Sequence, residues 1–252
     1  MCILISCEAG GKYVPAQLLS STSMSNIATA GKETTTQQNS SARLNKYRTD
    51  KAALYAAHRM SKRLGAPLIQ YQFALDAIDV TRSLRHPKLF SKASRSLSSL
   101  DRQRLIDEFY VPYREAIKNT VAQLLQRYTY VLHLSVRSFD LIGPKKKRRR
   151  ADVGLLYDPS SSDEVDLCAD WLYELYYEAE MLKVRRNYPR RGTADSLTKA
   201  MRAEFSGQSY LGIELLLNRA WAGRPIQVRD EAIDHLCDTL RTTMQLPQTA
   251  AA

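Results

Sequence analysis

The residues most able to do chemistry near the start of the chain follow an apolar run, Ile3-Leu4-Ile5. Cys7 and Glu8 come next, and Gly10-Gly11 closes the stretch "ISCEAGGKYVP". A strand that ends in a thiol, a carboxylate and a glycine turn delivers a reactive side chain to the mouth of a sheet. Ala9, at the tip, can neither ligate a metal nor transfer a proton. Glu214 lies in the apolar run "YLGIELLLN", and Arg137 ends "VLHLSVR". His133 lies four residues before Arg137 on the same strand face, roughly 13 Å away by strand rise, and is expected in the core. Arg82, Arg190 and Arg191 offer guanidinium forks that match a carboxylate or phosphate. For Arg190 and Arg191 a solvated basic loop explains the residues equally well. Cys7, Ser135 and Ser138 have no activating histidine and orienting acid visible in the sequence. His58 and His235 fall in helical patterns, and His86 lies in "RHPKLF".

The elements that must position these groups alternate between strand and helix. "DKAALYAAHRMSKRLG" is a helix closed by Gly65 at C′. A long helical stretch from Ser99 to about Arg127 is expected to kink or split at Pro112, which lacks an amide donor. "YTYVLHLSVRSF" reads as a buried central strand and "ADVGLLYDP" as another. "DEVDLCADWLYELYYEAE" puts an apolar face on a helix with acids at its start. "LKVRRN" and helices over about 195–205 and 228–244 complete the pattern. It predicts an α/β fold, a three-layer αβα sandwich formed by a single domain over residues 1–252. Functional groups are then expected beyond the carboxyl ends of the strands. Residues 20–42, rich in Ser, Thr, Gln and Asn, are expected to form a mobile loop.

The chain has 252 residues, 44% of them hydrophobic and 25% charged, and a formal net charge of +11. "KKKRRR" at 145–150 supplies six of those positive charges, and a solvated loop extension is the economical reading of it. No run is long and apolar enough to span a bilayer, and no signal peptide is evident. The four cysteines lack CxxC spacing and read as reduced thiols of a cytoplasmic protein.

Seven ordered segments, among them "ADVGLLYDP" and "VRRNYPRRGTADSLT", cover residues 3 to about 219. Together they resemble the N-formylglutamate amidohydrolase family. The resemblance implies a fold like the zinc carboxypeptidases and phosphorylase/hydrolases, with a mixed central sheet. It also implies a metal-dependent hydrolase of N-acyl acidic amino acids, using zinc or another divalent metal. Where the family has CEHGG, this chain has CEAGG, so Ala9 replaces a ligand histidine. SVHSF becomes SVRSF, so Arg137 replaces a second. HRGxD becomes "KYRTD", with Lys46 for the histidine and Asp50 kept.

The resemblance thus makes Glu8, Ala9, Asp50 and Arg137 a former metal site. Glu214 becomes the catalytic proton shuttle, and Arg82, Arg137, Asn187 and Arg191 the substrate-binding set. No metal cofactor is expected, because Arg137 is a permanent cation that would repel a dication. Arg137 is instead expected to pair with Glu8 or Glu214 where the metal stood. The expected partner is an acidic small molecule, with hydrolysis lost or altered. Two alternatives stand beside this: an active amidohydrolase with rearranged ligands, and a basic module that binds nucleic acid or an acidic protein through 145–150.

Overall fold

A computed structural model describes residues 1–15, Leu18 and 49–245. The loop at 20–42 and Lys46 lie outside the described residues. In chain order the elements are β1 (Cys2–Cys7), α1 (Lys51–Leu64), β2 (Leu68–Gln70), α2 (Lys92–Arg95), α3 (Ser99–Leu105), α4 (Val111–Leu125) and β3 (Val131–Phe139). Then come β4 (Val153–Leu156), α5 (Ser162–Glu178), β5 (Val184–Arg186), α6 (Leu197–Glu204), β6 (Tyr210–Asn218) and α7 (Ile226–Met244). The strands form one sheet in the order β2-β1-β3-β6-β4-β5. Neighbours run parallel except β4 against β6, which are antiparallel. The sheet is therefore mixed.

Each face of the sheet has its own core. Ile3, Ile5, Leu132, Leu134, Ile213 and Leu215 pack against α1, α5 and α7. Trp171 of α5 is fully buried there and donates its indole N–H to Thr239 of α7 at 3.0 Å. On the other face Leu4, Val131 and Tyr210 pack against α4 and α6. This second face is not apolar throughout. At the period of two along each strand it carries Ser6 on β1, His133 and Ser135 on β3, and Glu214 on β6, all buried. The register sets Ser6 beside Ser135 and Ser135 beside Glu214. A polar row thus crosses three adjacent strands of the sheet.

Two local features follow from the sequence. Gly65 ends α1 in the left-handed region at φ 63°, and its amide closes on the Ser61 carbonyl. The long helical stretch does not split at Pro112: the backbone stays helical from Ser99 to Leu125 and widens just before the proline. Ile106–Tyr110 form a π-helical turn, and Pro112 falls in the first turn of α4. The wider π turn accommodates the missing amide and the bulk of the proline ring, so the helix continues through Pro112.

The basic run is an exposed loop with a fold of its own. Residues 141–149 fold back as a hairpin: Ile142 bridges Arg148, Gly143 donates to the Lys147 carbonyl at 2.9 Å, and Arg149 donates to that of Leu141 at 2.7 Å. Arg149 anchors it, its guanidinium bonded to the Asp140 carbonyl at 2.9 Å and lying 5.6 Å from the Phe139 ring centre. Among the described residues no helix is long and apolar enough to cross a membrane.

Candidate functional site

Glu8, one residue past β1, is fully buried. It accepts hydrogen bonds from Ser6 (2.5 Å) and Tyr113 (3.4 Å) on Oε1 and from Ser135 (2.8 Å) on Oε2. Burial pushes its carboxyl above the usual range; the positive charge of Arg137 and the two serine hydroxyls pull the other way.

Behind it runs a chain of hydrogen bonds. Ser6 Oγ lies 2.7 Å from His133 Nε2, and His133 Nδ1 lies 2.8 Å from the Tyr210 hydroxyl. With Glu8 ionised, Ser6 gives its one proton to Glu8. His133 must then donate from Nε2 and accept from Tyr210 at Nδ1, a tautomer assigned from the network. Burial, helped by the charge of Arg202, drives the His133 pKa down to about 3. The imidazole is neutral, and both its nitrogens are engaged.

That depression sets a pH dependence. Between about 3 and the ordinary value of 6.5 the unfolded chain binds a proton at His133 that the folded chain does not. Stability should therefore rise with pH across that window and fall on acidification. Glu8, shifted upward, acts in the opposite sense: its neutral form is favoured in the fold, so its share of stability falls as pH rises above 4.5. His133→Gln, which keeps an N–H for Ser6, should flatten the loss of stability between pH 6.5 and 3 in denaturant titrations. An unchanged slope would show that His133 does not carry it.

Asp50 is the N-cap of α1 and accepts from the Ala53 amide at 3.1 Å. Its other oxygen takes the Ser138 hydroxyl at 2.5 Å and lies 3.6 Å from Arg219. The Asp50 amide donates to the Ala9 carbonyl at 2.9 Å, which ties the Ala9 turn to α1. Arg137 comes off β3 with a side chain only 19% exposed, its NH1 3.8 Å from Glu214 Oε2. Burial opposes its charge, but Glu214, then Asp79, Glu8 and Asp50, outweigh it and raise the guanidinium above its ordinary value. The expected partnership of Arg137 with a carboxylate is thus present at Glu214, with Glu8 in electrostatic reach. Glu8, Ala9, Asp50, Arg137 and Glu214 converge as the sequence predicted.

Glu214 accepts from Thr198 at 3.3 Å on Oε1, and its Oε2 also pairs with Arg190. From sequence, Arg190 is only an even choice. Burial holds it below its ordinary value; Glu214 counters this, while Arg137 and Arg82 add to the lowering. Arg82 donates to the Asp195 carbonyl at 3.0 Å and lies 3.4 Å from Asp79.

Two more members of the substrate-binding set lie on the loop after β5. Arg191 is exposed. Asn187, at φ 48°, uses its side-chain oxygen to hold the amides of Tyr157 (3.2 Å) and Gly192 (2.8 Å). It shapes the loop that carries Arg190. Gly192 is required in that loop, since a Cβ there would lie 2.3 Å from the Tyr157 carbonyl oxygen.

The buried Glu164–Arg202 pair holds the same loop from below. Arg202 donates to the carbonyl of Gly192 at 3.0 Å and to Glu164 at 2.7 Å. Sequence reasoning also missed the Ser6–His133–Tyr210 chain and Arg219. The alternation of polar residues in β1 and β3 was the signal for the first; Arg219, in the turn after β6, had none. A thiol nucleophile finds no support: burial, then the charges of Glu8 and Asp50, push Cys7 up to about 12. Among the described residues no three His, Cys, Asp or Glu side chains group as a metal would require.

A mixed α/β sheet between two helical layers, with charged side chains gathered at the carboxyl ends of its central parallel strands, defines the class: an α/β protein with its site at the strand ends. The chain belongs to the N-formylglutamate amidohydrolase family, whose sequence model matches residues 2–220. The crystal structure of a gene product from Agrobacterium tumefaciens is similar, with a TM-score of 0.73 at 17% identity, covering 96% of this chain and 90% of that one. So is an N-formylglutamate amidohydrolase from Ralstonia eutropha, with a TM-score of 0.60 at 17% identity, covering 97% and 94%. A search of curated proteins gave no match.

Proposed function

We propose that this chain is a carboxylate-binding protein on an amidohydrolase frame, without metal-dependent hydrolysis. The observation that carries the reading is that Glu214 Oε2 is shared by two guanidiniums, Arg137 and Arg190. One buried carboxylate oxygen cannot satisfy two guanidinium forks. Arg137 lies deep, while Arg190 is on a loop at the rim. An arriving carboxylate can take Arg190, with Arg82 beside it, and leave Glu214 paired to Arg137. Family membership and the name of the Ralstonia neighbour support an N-acyl acidic amino acid or a similar acid as the ligand.

The donor set supports the absence of a metal. Catalytic zinc takes three protein ligands and a water. Here Ala9 offers no donor, and Arg137 brings a cation to the place the family gives a histidine. Glu8 is saturated by three hydroxyls and Asp50 by its helix cap and Ser138. These residues do not fit the family's metal. Glu214, with both oxygens engaged, then serves to anchor arginines and not to shuttle protons. Four free cysteines accord with a reducing, cytoplasmic setting.

Calorimetric titration with N-formylglutamate tests the reading. Binding should occur without hydrolysis, weakened about 10-fold or more by Arg190→Gln, as expected when a charge-assisted hydrogen bond is removed. Arg191→Gln should leave it nearly unchanged. Turnover of the amide, or equal affinity in the Arg190 variant, would contradict it.

A further inference from the structure

We propose that a second site, separate from the candidate site, binds a compact anion carrying several phosphate groups. The site is a basin of about 850 Å³, within the range of about 300–1,000 Å³ usual for small-molecule sites. Its walls are the basic hairpin, the residues just before β4 and β5, and the turn after β6. Arg82, Arg137, Arg190 and Glu214 are not among its lining residues.

Lys147, Arg148, Arg149, Arg150, Lys183 and Arg224 line the basin, against one acid, Asp152. Asp152 gives one oxygen to Arg224 at 3.0 Å and the other to the Lys183 amide at 3.1 Å. Among the described residues, its pair with Arg224 is the one ion pair that any of these cations makes. Like charges around one concave surface repel one another and focus a positive field into it. A solvated basic loop explains the hairpin cations alone. It does not explain why Lys183 and Arg224, distant in sequence, converge on the same cavity.

The walls are fixed in the folded chain. The hairpin carries its own backbone hydrogen bonds, and Arg149 is held by the Asp140 carbonyl and the Phe139 ring. The Asp152 amide donates to the Lys183 carbonyl at 2.9 Å, which ties the starts of β4 and β5. Asn218 sets the turn after β6, accepting from the Ala220 amide at 3.1 Å and donating to the Ala151 carbonyl at 2.9 Å. A ligand therefore orders side chains and little backbone, which lowers the cost of binding. A phosphate monoester carries about −1.5 to −2 charges at neutral pH, so a few phosphates in one molecule match the excess of cations. A single carboxylate leaves most of that excess unmet. Guanidinium forks also fit phosphate oxygens in pairs. Leu141, Met181 and Ala220 supply apolar wall for the organic part of such a ligand.

The experiment is calorimetric titration of the full chain with tripolyphosphate, orthophosphate, citrate, ATP and inositol hexakisphosphate, without divalent cations. Two double variants that remove the same charge accompany it. Lys147→Gln with Lys183→Gln takes a cation from each of two walls. Lys145→Gln with Lys146→Gln takes two from the hairpin tip, outside the lining. All four side chains are exposed, and thermal melts confirm that both variants fold. Arg190→Gln, which alters the candidate site, is the third variant.

Tripolyphosphate should saturate one site per chain and bind about 10-fold or more tightly than orthophosphate or citrate. The Lys147 and Lys183 variant should weaken it about 10-fold or more. The Lys145 and Lys146 variant and Arg190→Gln should leave it nearly unchanged, whatever the fate of N-formylglutamate at the candidate site. Tighter binding of ATP than of tripolyphosphate would identify the ligand as a nucleotide, and tighter binding of inositol hexakisphosphate as a phosphorylated ring. Equal affinities would show that the phosphates alone are read. The absence of saturable tripolyphosphate binding, equal affinity for citrate, equal weakening in the two double variants, or loss of binding in Arg190→Gln would each overturn the proposal.

Discussion

Arg137→Met should destabilise the fold by about 3 kcal/mol at neutral pH, the lower end of what breaking a buried ion pair costs. The lower end applies because the side chain is 19% exposed. Glu214 keeps Arg190, so the orphaned group is Glu8, buried completely and facing Glu214 and Asp50 across the site. Its carboxyl is already raised by burial, and loss of Arg137 removes the largest influence holding it down. The variant should therefore recover stability on acidification as Glu8 takes up a proton. Adding Glu8→Gln should restore part of the loss, because the neutral amide needs no countercharge. Equilibrium denaturation of the two single variants and the double variant measures the coupling between the residues. Strict additivity would show that Arg137 does not compensate Glu8.

The second large effect concerns the metal. If Ala9 and Arg137 mark a dismantled site, then Ala9→His with Arg137→His returns two imidazoles and removes the opposing charge. The double variant should take up about one zinc ion per chain, as a site with a complete ligand set does. Either single substitution should fall far short, because one imidazole leaves the ligand set incomplete and, in Ala9→His, Arg137 still repels a dication. The tie between the Ala9 carbonyl and the Asp50 amide, 2.9 Å, keeps position 9 next to α1. A double variant that folds but binds no more zinc than the unaltered chain would show that the site was not built on these two positions.

Much of this was legible in the sequence, for identifiable reasons. Gly65, the acidic start of α5 and the run of β-branched and apolar residues in β3 are local signals, and each produced its element. The convergence of Glu8, Asp50, Arg137 and Glu214 followed from the ordered family segments, since each lies at or near a strand end that topology brings together. Arg190 over Arg191 was not legible. The two are adjacent on one loop, and their aim is set by hydrogen bonds distant in sequence: Asn187 holding Tyr157 and Gly192, and Arg202 holding Gly192. The role of Asp50 as a helix cap was hidden because the same carboxylate suited a metal. The hairpin at 141–149 depends on Arg149 reaching Asp140 and Phe139. Six consecutive basic residues reveal no such fold by periodicity.

The most direct measurement is metal content by mass spectrometry on the full chain, purified without chelator or histidine tag, incubated with zinc and dialysed. A folded protein carrying far less than one zinc per chain is the predicted result, and it leaves Arg137 as the positive charge of the site. Near-stoichiometric zinc retained through dialysis would contradict the account.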